Sequence, residues 1–140
     1  MKIYLCSTRP EEKTHQWVSN MAVFSGAAED NEATSIICNN FLSCFTYDEL
    51  PQLLEKIVIK MRLNSELIII QPDIGMLSQR LFREEIDTTT LNNILFNNGP
   101  IKSVCCTEEI ESLISENLEI TNKHFNMTTA SVVIRARRVK

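Results

Sequence analysis

The chain is poor in glycine, with three in 140 residues, and it holds four prolines, two histidines, two tyrosines and one tryptophan. So little glycine and proline excludes a fibrous or low-complexity chain. Long apolar runs are missing as well. The longest, Leu67-Ile68-Ile69-Ile70, has the length of a strand and falls far short of the roughly 20 residues a membrane span needs. The start, Met1-Lys2-Ile3-Tyr4-Leu5-Cys6, lacks the long apolar stretch and small-residue cleavage site of a secretory signal, so a cytoplasmic location is expected. Positive charge is in deficit: 14 Lys and Arg against 18 Asp and Glu give a net charge of -4, which disfavours nucleic acid as a partner. The one basic cluster, Arg135, Arg137, Arg138 and Lys140, reads as the polar face of a last strand and a solvated tail. The five cysteines (6, 38, 44, 105 and 106) contain no Cys-x-x-Cys pair, and the histidines, His15 and His124, are far apart. Neither a disulfide framework nor a metal site is signalled, and reduced, buried thiols are expected.

What is present is an ordinary apolar fraction, 44%, in a length that suits one domain over residues 1–140. Residues 2–6 read as a first strand, and Trp17 to Phe24 as a short second one broken by Ser25-Gly26 and the acidic Glu29-Asp30-Asn31-Glu32. Ala33 to Cys38 is β-rich and ends without alternation, as a strand buried on both faces of a parallel sheet does. Thr46 and Glu49 have capping-box spacing, and Leu50, Leu53, Leu54, Ile57 and Met61 share one helical face, so a helix starts at Thr46 or at Asp48. Arg62 to Glu66 reads as a turn, and Leu67 to Ile70 as the next buried strand. Strand, helix and strand make a right-handed crossover, which sets the class as α/β.

Beyond Asp73, read as a helix N-cap, the spacing of Ile74, Leu77, Leu81 and Phe82, then of Leu91, Ile94 and Leu95, predicts two short helices, the second ending at Asn98-Gly99-Pro100. Thr107 opens a last helix with Ile110, Leu113, Ile114 and Leu118 on one face. Residues 119–127 and 131–138 read as an antiparallel hairpin across Thr128-Thr129-Ala130.

The run from Ala33 to Phe45, then Asp48-Glu49, Leu53-Leu54, Ile57, Lys60-Met61 and Leu67 to Asp73, followed by helix and hairpin, resembles the second half of minimal class I S-adenosylmethionine-dependent methyltransferases. The resemblance covers about residues 33–138 and implies a reduced Rossmann-like, mainly parallel sheet ending in an antiparallel hairpin. It also implies S-adenosylmethionine as cofactor, with Cys6, Ser7, Asp30, Asn39 and Asn40 at its binding positions. The sequence departs from that pattern where the family holds its cofactor. The loop after the first strand, Cys6-Ser7-Thr8-Arg9-Pro10, has no glycine to let backbone pass close to the ligand. The ribose-binding acid falls near Asn20, which offers one acceptor oxygen rather than two. The stretch before Ala33 is also too short for every usual element.

The expected protein is therefore methyltransferase-like, holding S-adenosylmethionine weakly or having lost it. The second expectation is a non-catalytic binding or assembly module, a homo-oligomer or the companion of an active enzyme, and the third is a different enzyme acting on a small molecule in a cleft between subunits. A pairing of His15 with Cys6 has nothing to orient the histidine, and no catalytic residue is assigned.

Overall fold

Among the described residues, strands and α-helices follow one another as β1 (Lys2–Leu5), β2 (Gln16–Val18), α1 (Met21–Ala27), β3 (Ala33–Asn39), α2 (Leu50–Lys60), β4 (Met61–Pro72), α3 (Ile74–Phe82), α4 (Thr88–Phe96), α5 (Thr107–Leu113), β5 (Leu118–Asn126) and β6 (Ser131–Arg138), with two short 3-10 turns between β3 and α2. They are seen in a computed structural model that describes every residue except Asn98, Gly99 and Ser115. The strands form one sheet in the order β2-β1-β3-β4-β6-β5. The first four are parallel, and β6 and β5 close the sheet as an antiparallel hairpin. The α/β class and the sheet expected from the sequence are both present.

The pairing register divides the sheet into two faces. Ile3, Leu5, Ile36, Cys38, Leu67, Ile69, Val132, Ile134 and Ala136 lie on one face. They form a single buried cluster with Phe24 of α1, with Leu50, Leu53, Leu54, Ile57 and Val58 of α2, and with Ile110 of α5. Helix α2 owes its place to the predicted stripe, and Pro51 sits in its first turn, where a missing amide costs little. The opposite face carries Trp17, Tyr4, Ile37, Ile68 and Arg135 in one row and Ile70 with Val133 beside it. None of these joins the cluster, and Ile37, Ile70 and Val133 are only half-buried. Tyr4 and Ile68 are nonetheless buried, and Thr90 and Ile94 of α4 share a cavity with Ile70, so this second face is covered in part rather than fully as the unalternating strands suggest.

Several boundaries differ from the sequence reading. Residues 21–27 are helical, not strand, because Asn20 caps them through Oδ1, which accepts from Val23 N at 2.9 Å. Thr46 Oγ1 meets Glu49 Oε1 at 2.9 Å, but the backbone there makes a single 3-10 turn and the α-helix begins only at Leu50. Residues 62–66, expected to turn, and Met61, expected on the helical face of α2, instead form the start of β4, with Asn64 at φ 65 absorbing a slip in register against β3 between Ala33 and Ser35. Leu118 opens β5 instead of closing α5, which ends at Leu113. The expected helix stop at Asn98-Gly99 lies outside the described residues.

Asp73 holds the carboxyl end of β4 to two helices. Its Oδ1 accepts from Met76 N at 2.9 Å and caps α3, while Oδ2 accepts from Thr107 N at 2.8 Å and from Thr107 Oγ1 at 2.5 Å at the head of α5. Burial by itself would raise the Asp73 pKa; the Thr107 hydroxyl and the amides of Met76, Thr107 and Gly75 outweigh it and hold the carboxyl below its ordinary value. Stability linked to this depressed pKa is fully present above the ordinary aspartate value of about 3.9 and is lost as pH falls through the lower folded value. Asp73→Asn is expected to cost about 1–3 kcal/mol at neutral pH in urea unfolding. The gap from the parent protein should shrink in acid; an equal loss at all pH values would contradict the role given to the charge.

Candidate functional site

Strand order reverses between β1 and its two neighbours, β2 on one side and β3 on the other, so the chain leaves the carboxyl ends of β1 and β3 in opposite directions. In an open α/β sheet that divergence creates the crevice where ligands bind. Four of the five sequence-predicted residues are at these ends: Cys6 and Ser7 just after β1, Asn39 as the last residue of β3, and Asn40 directly beyond it. Asn40 takes φ 52, a left-handed conformation that asparagine tolerates, and its amide donates to Ile70 O at 2.8 Å, which fixes the bend away from the sheet.

Asp30 is elsewhere. It precedes β3, at the amino end of the sheet, where its carboxylate pairs with Lys60 Nζ at 2.9 Å. A strand of β3's seven residues separates it from Asn39, roughly 20 Å at about 3.3 Å per residue.

Around the crevice most polar groups face one another. The Trp17 indole donates to Cys6 O at 2.9 Å, Asn39 Nδ2 donates to Tyr4 Oη at 2.8 Å, and the Asn20 acceptor caps α1. Segment 6–15 contains no helix and returns over the half-buried face. There the His15 ring stands edge-on to Tyr4, with centroids 6.4 Å apart. His15 does not meet Cys6. Its Nε2 lies 3.1 Å from Ser35 Oγ and its Nδ1 3.4 Å from a Glu12 carboxylate oxygen. The order carboxylate, imidazole, hydroxyl imitates a nucleophile relay, but Ser35 sits mid-strand between β1 and β4, where ladder pairing on both sides uses the amides an oxyanion would need. The contact ties segment 6–15 to the sheet.

Next to the crevice, at the carboxyl ends of β3 and β4, a cavity of about 460 Å³ opens under α4. Asn39, Asn40, Thr90, Asn126, Thr128, Thr129 and Ser131 supply amides and hydroxyls to it, and Ile70, Pro72 and Ile94 supply apolar walls. Among the described residues, no charged side chain lines it. Sequence reasoning found Asn39 and Asn40 but not their neighbours from α4 and the hairpin turn, which are remote in sequence and carry no motif.

All five cysteines are free thiols, and Cys6, Cys38 and Cys105 are buried. Burial pushes the Cys38 thiol up to about 12; for Cys105, burial together with Glu109 pushes it to about 11. No group of three or more His, Cys, Asp or Glu able to hold a metal occurs among the described residues, and no helix among them is long and apolar enough to cross a membrane.

No protein-family model matches the chain, and no curated protein sequence does. Solved structures do. The Burkholderia thailandensis 1,6-didemethyltoxoflavin-N1-methyltransferase, solved with 1,6-didemethyltoxoflavin and S-adenosylhomocysteine bound, superposes with a TM-score of 0.61 over 99% of this chain and 61% of its own, at 11% identity. A SAM-dependent methyltransferase from Methanosarcina mazei gives 0.56 over 81% of this chain and 62% of its own, at 12% identity. One from Archaeoglobus fulgidus gives 0.53 over 89% and 68%, at 13% identity. The chain spans about three fifths of the length of the first two. Its fold is methyltransferase-like, a Rossmann-like arrangement with an antiparallel hairpin at its end.

The Asn39–Tyr4 bond is the polar floor of the crevice. Tyr4→Phe is expected to lower stability by about 0.5–1.5 kcal/mol in urea unfolding, because Asn39 is half-buried and loses its acceptor. An unchanged midpoint would show that water replaces the phenol without loss.

Proposed function

We propose that this chain is a non-catalytic ligand-binding module on a methyltransferase-like fold, and that its ligand occupies the cavity under α4 rather than the family's cofactor crevice. One observation carries the reading: the groups that would have to receive S-adenosylmethionine are bonded to each other. A cofactor there needs a backbone turn free of side chains, an acid for the two ribose hydroxyls and open donors at the strand ends. This chain has Cys6, Ser7 and Thr8 in the turn, an Asn20 whose acceptor is used as a helix cap, and Asn39 and Trp17 donating to Tyr4 and Cys6. No helix follows β1 to aim its amino end at a carboxylate. The residues present do not fit the cofactor, and no methyl-transfer step is derived through it.

The cavity differs in its mixed lining, although part of its polar capacity is used internally: Asn126 Oδ1 accepts from the Thr128 and Thr129 amides, and Thr129 Oγ1 meets Ser131 Oγ at 2.6 Å. Its amides and hydroxyls ask for a ligand with both donors and acceptors, its isoleucine and proline walls ask for flat apolar surface, and the lack of a lining charge disfavours an ion. A small, uncharged, hydrogen-bonding ring compound fits this description.

Calorimetry decides the cofactor question. S-adenosylmethionine and S-adenosylhomocysteine are expected to give no binding heat at high micromolar concentration, and saturable heat with either would overturn the proposal. A thermal-shift panel of neutral and anionic ring compounds tests the cavity: stabilisation is expected from neutral members only, and is expected to vanish in Asn39→Leu. Stabilisation by anions that survives this change would place the ligand elsewhere.

A further inference from the structure

We infer that α4 is a lid on the cavity beneath it: the turn and helix of residues 83–97 swing away to admit a ligand and seat on it once it is bound. This rests on the reading of that cavity as the ligand site and adds how the site opens.

The excursion between β4 and α5 is fastened at both roots. At the first, the Asp73 amide donates to Ala130 O and the Ile74 amide to Cys105 O, each at 3.1 Å, and Asp73 Oδ1 caps α3 through Met76 N. Leu77, in the first turn of α3, is fully buried. At the second root, the amides of Lys102 and Ser103 donate to Ser43 O at 2.8 and 3.2 Å, and the Ser103 hydroxyl donates to Phe45 O at 2.7 Å. Thr107 N then donates to Asp73 Oδ2, which joins the two roots.

Between them the chain is held only to itself. Arg83, Glu84 and Glu85 send their amides back into α3, to Gln79 O, Leu81 O and Arg80 O. Helix α4 is capped by its own Asp87, whose Oδ1 accepts from Thr90 N at 2.7 Å, and Asn92 Nδ2 donates to Thr88 O one turn back. Among the described residues, no hydrogen bond or ion pair joins residues 83–97 to anything but themselves and α3. No residue of α4 is buried. At nine residues the helix is shorter than the roughly 12 that are marginal in water unaided, so it depends on what its apolar side can touch.

That side is Leu91, Ile94 and Leu95, spaced three and four apart and only half-buried. The cavity accounts for the shortfall. Ile94 of α4 and Ile70 and Pro72 of the sheet line the same space of about 460 Å³, so apolar groups that would pack together in a closed core border a cavity instead. Atoms lining a cavity lack dispersion partners on that side. A ligand of matching volume supplies them, and the contacts that hold the ligand then also hold the lid. Without a ligand little keeps the lid shut, since segments with few buried contacts open well below the free energy of global unfolding. Opening leaves the core intact, because no residue of 83–97 belongs to the buried cluster. The turn supplies the bend: Glu84 stands at φ 60, a left-handed conformation costly for a residue with a Cβ, so a backbone change there relieves strain. With the lid seated, release of the ligand requires opening, which makes α4 the element that sets residence time.

N-ethylmaleimide, a neutral ring compound that marks cysteine, tests the lid on the full chain. The reporter is Ile70→Cys on the cavity wall, read by peptide-resolved mass spectrometry, with Ser131→Cys taking its place if the first variant does not fold. Asn92→Pro, at an exposed position of α4 outside the cavity lining, breaks the lid helix and is expected to raise the reporter's labelling rate roughly tenfold or more. The half-buried Cys44 and Cys106, outside the cavity, are expected to keep their rates. Once the reporter carries the maleimide, the α4 amides of the otherwise unchanged chain are expected to exchange their hydrogens roughly tenfold more slowly. A reporter rate that Asn92→Pro leaves unchanged overturns the lid, as does an equal rise at Cys44 and Cys106, which marks global loosening. Amide exchange that filling the cavity does not slow overturns the seating of α4 on its ligand. The ligand reading fails separately: ring compounds that give no thermal shift at a gated cavity refute the ligand and leave the lid, and stabilisation at an ungated cavity does the reverse.

Discussion

The rest of the structure depends on one act of burial: β3 and β4 lie side by side, and α2 crosses one face of the pair. Ile36, Cys38, Leu67 and Ile69 are completely buried there, against Leu50 and Ile57 of the helix. At about 25 cal/mol for each Å² of apolar surface, side chains of this size contribute on the order of 2 kcal/mol apiece. Everything peripheral is attached to this slab. β1 extends it on one side and the hairpin on the other, and Asp73 ties the end of β4 to the helix that leads into the hairpin. Because the slab fixes where β3 and β4 end, it also fixes where Asn39, Asn40 and Pro72 can stand.

The same slab explains how the amino-terminal half could be shortened without loss of fold. Ten residues pass from β1 to β2 without a helix, and α1 follows directly. Nothing in the covered cluster needs a helix on the opposite face, since every helix that contributes to it approaches from one side. The cost falls on the crevice and on the second face. With no helix after β1, there is no backbone turn aimed at a ligand, and the polar groups left at the strand ends satisfy one another, as Asn39 does with Tyr4.

Features governed by local pattern were legible in the sequence. The stripe of α2 has a period that only a helix satisfies, the apolar runs of β3 and β4 are too short for a buried helix, and Asp73 stands where a cap must. Features governed by tertiary context were not. Met21 to Ala27 buries only Phe24, so it shows no stripe, and its helix depends on the Asn20 cap. Arg62 to Glu66 is polar because it lies at the exposed start of β4, and that polarity reads as a turn. Asp30 was placed at the crevice by the family resemblance alone, whereas it precedes β3 at the other end of the sheet and pairs with Lys60. Tyr4, Ile37 and Ile68 look in sequence like the residues facing α2; only the register assigns them to the other face.

That the cavity lies beside the crevice, and not in it, follows from which chain segments were spared. Its walls come from the ends of β3 and β4, from α4 and from the turn between β5 and β6. All belong to the half of the chain built on the slab, and the hairpin turn is bonded back to it: Ala130, at φ 49, accepts the Asp73 amide at 3.1 Å. A left-handed alanine is strained, and such strain persists only where surrounding contacts over-determine the backbone. Here the carboxylate that caps two helices and the turn that walls the cavity are consecutive links of one chain of hydrogen bonds. The stability of the fold and the shape of the site are thus set by the same residues, whereas the crevice, walled by β1 and segment 6–15, has no such tie.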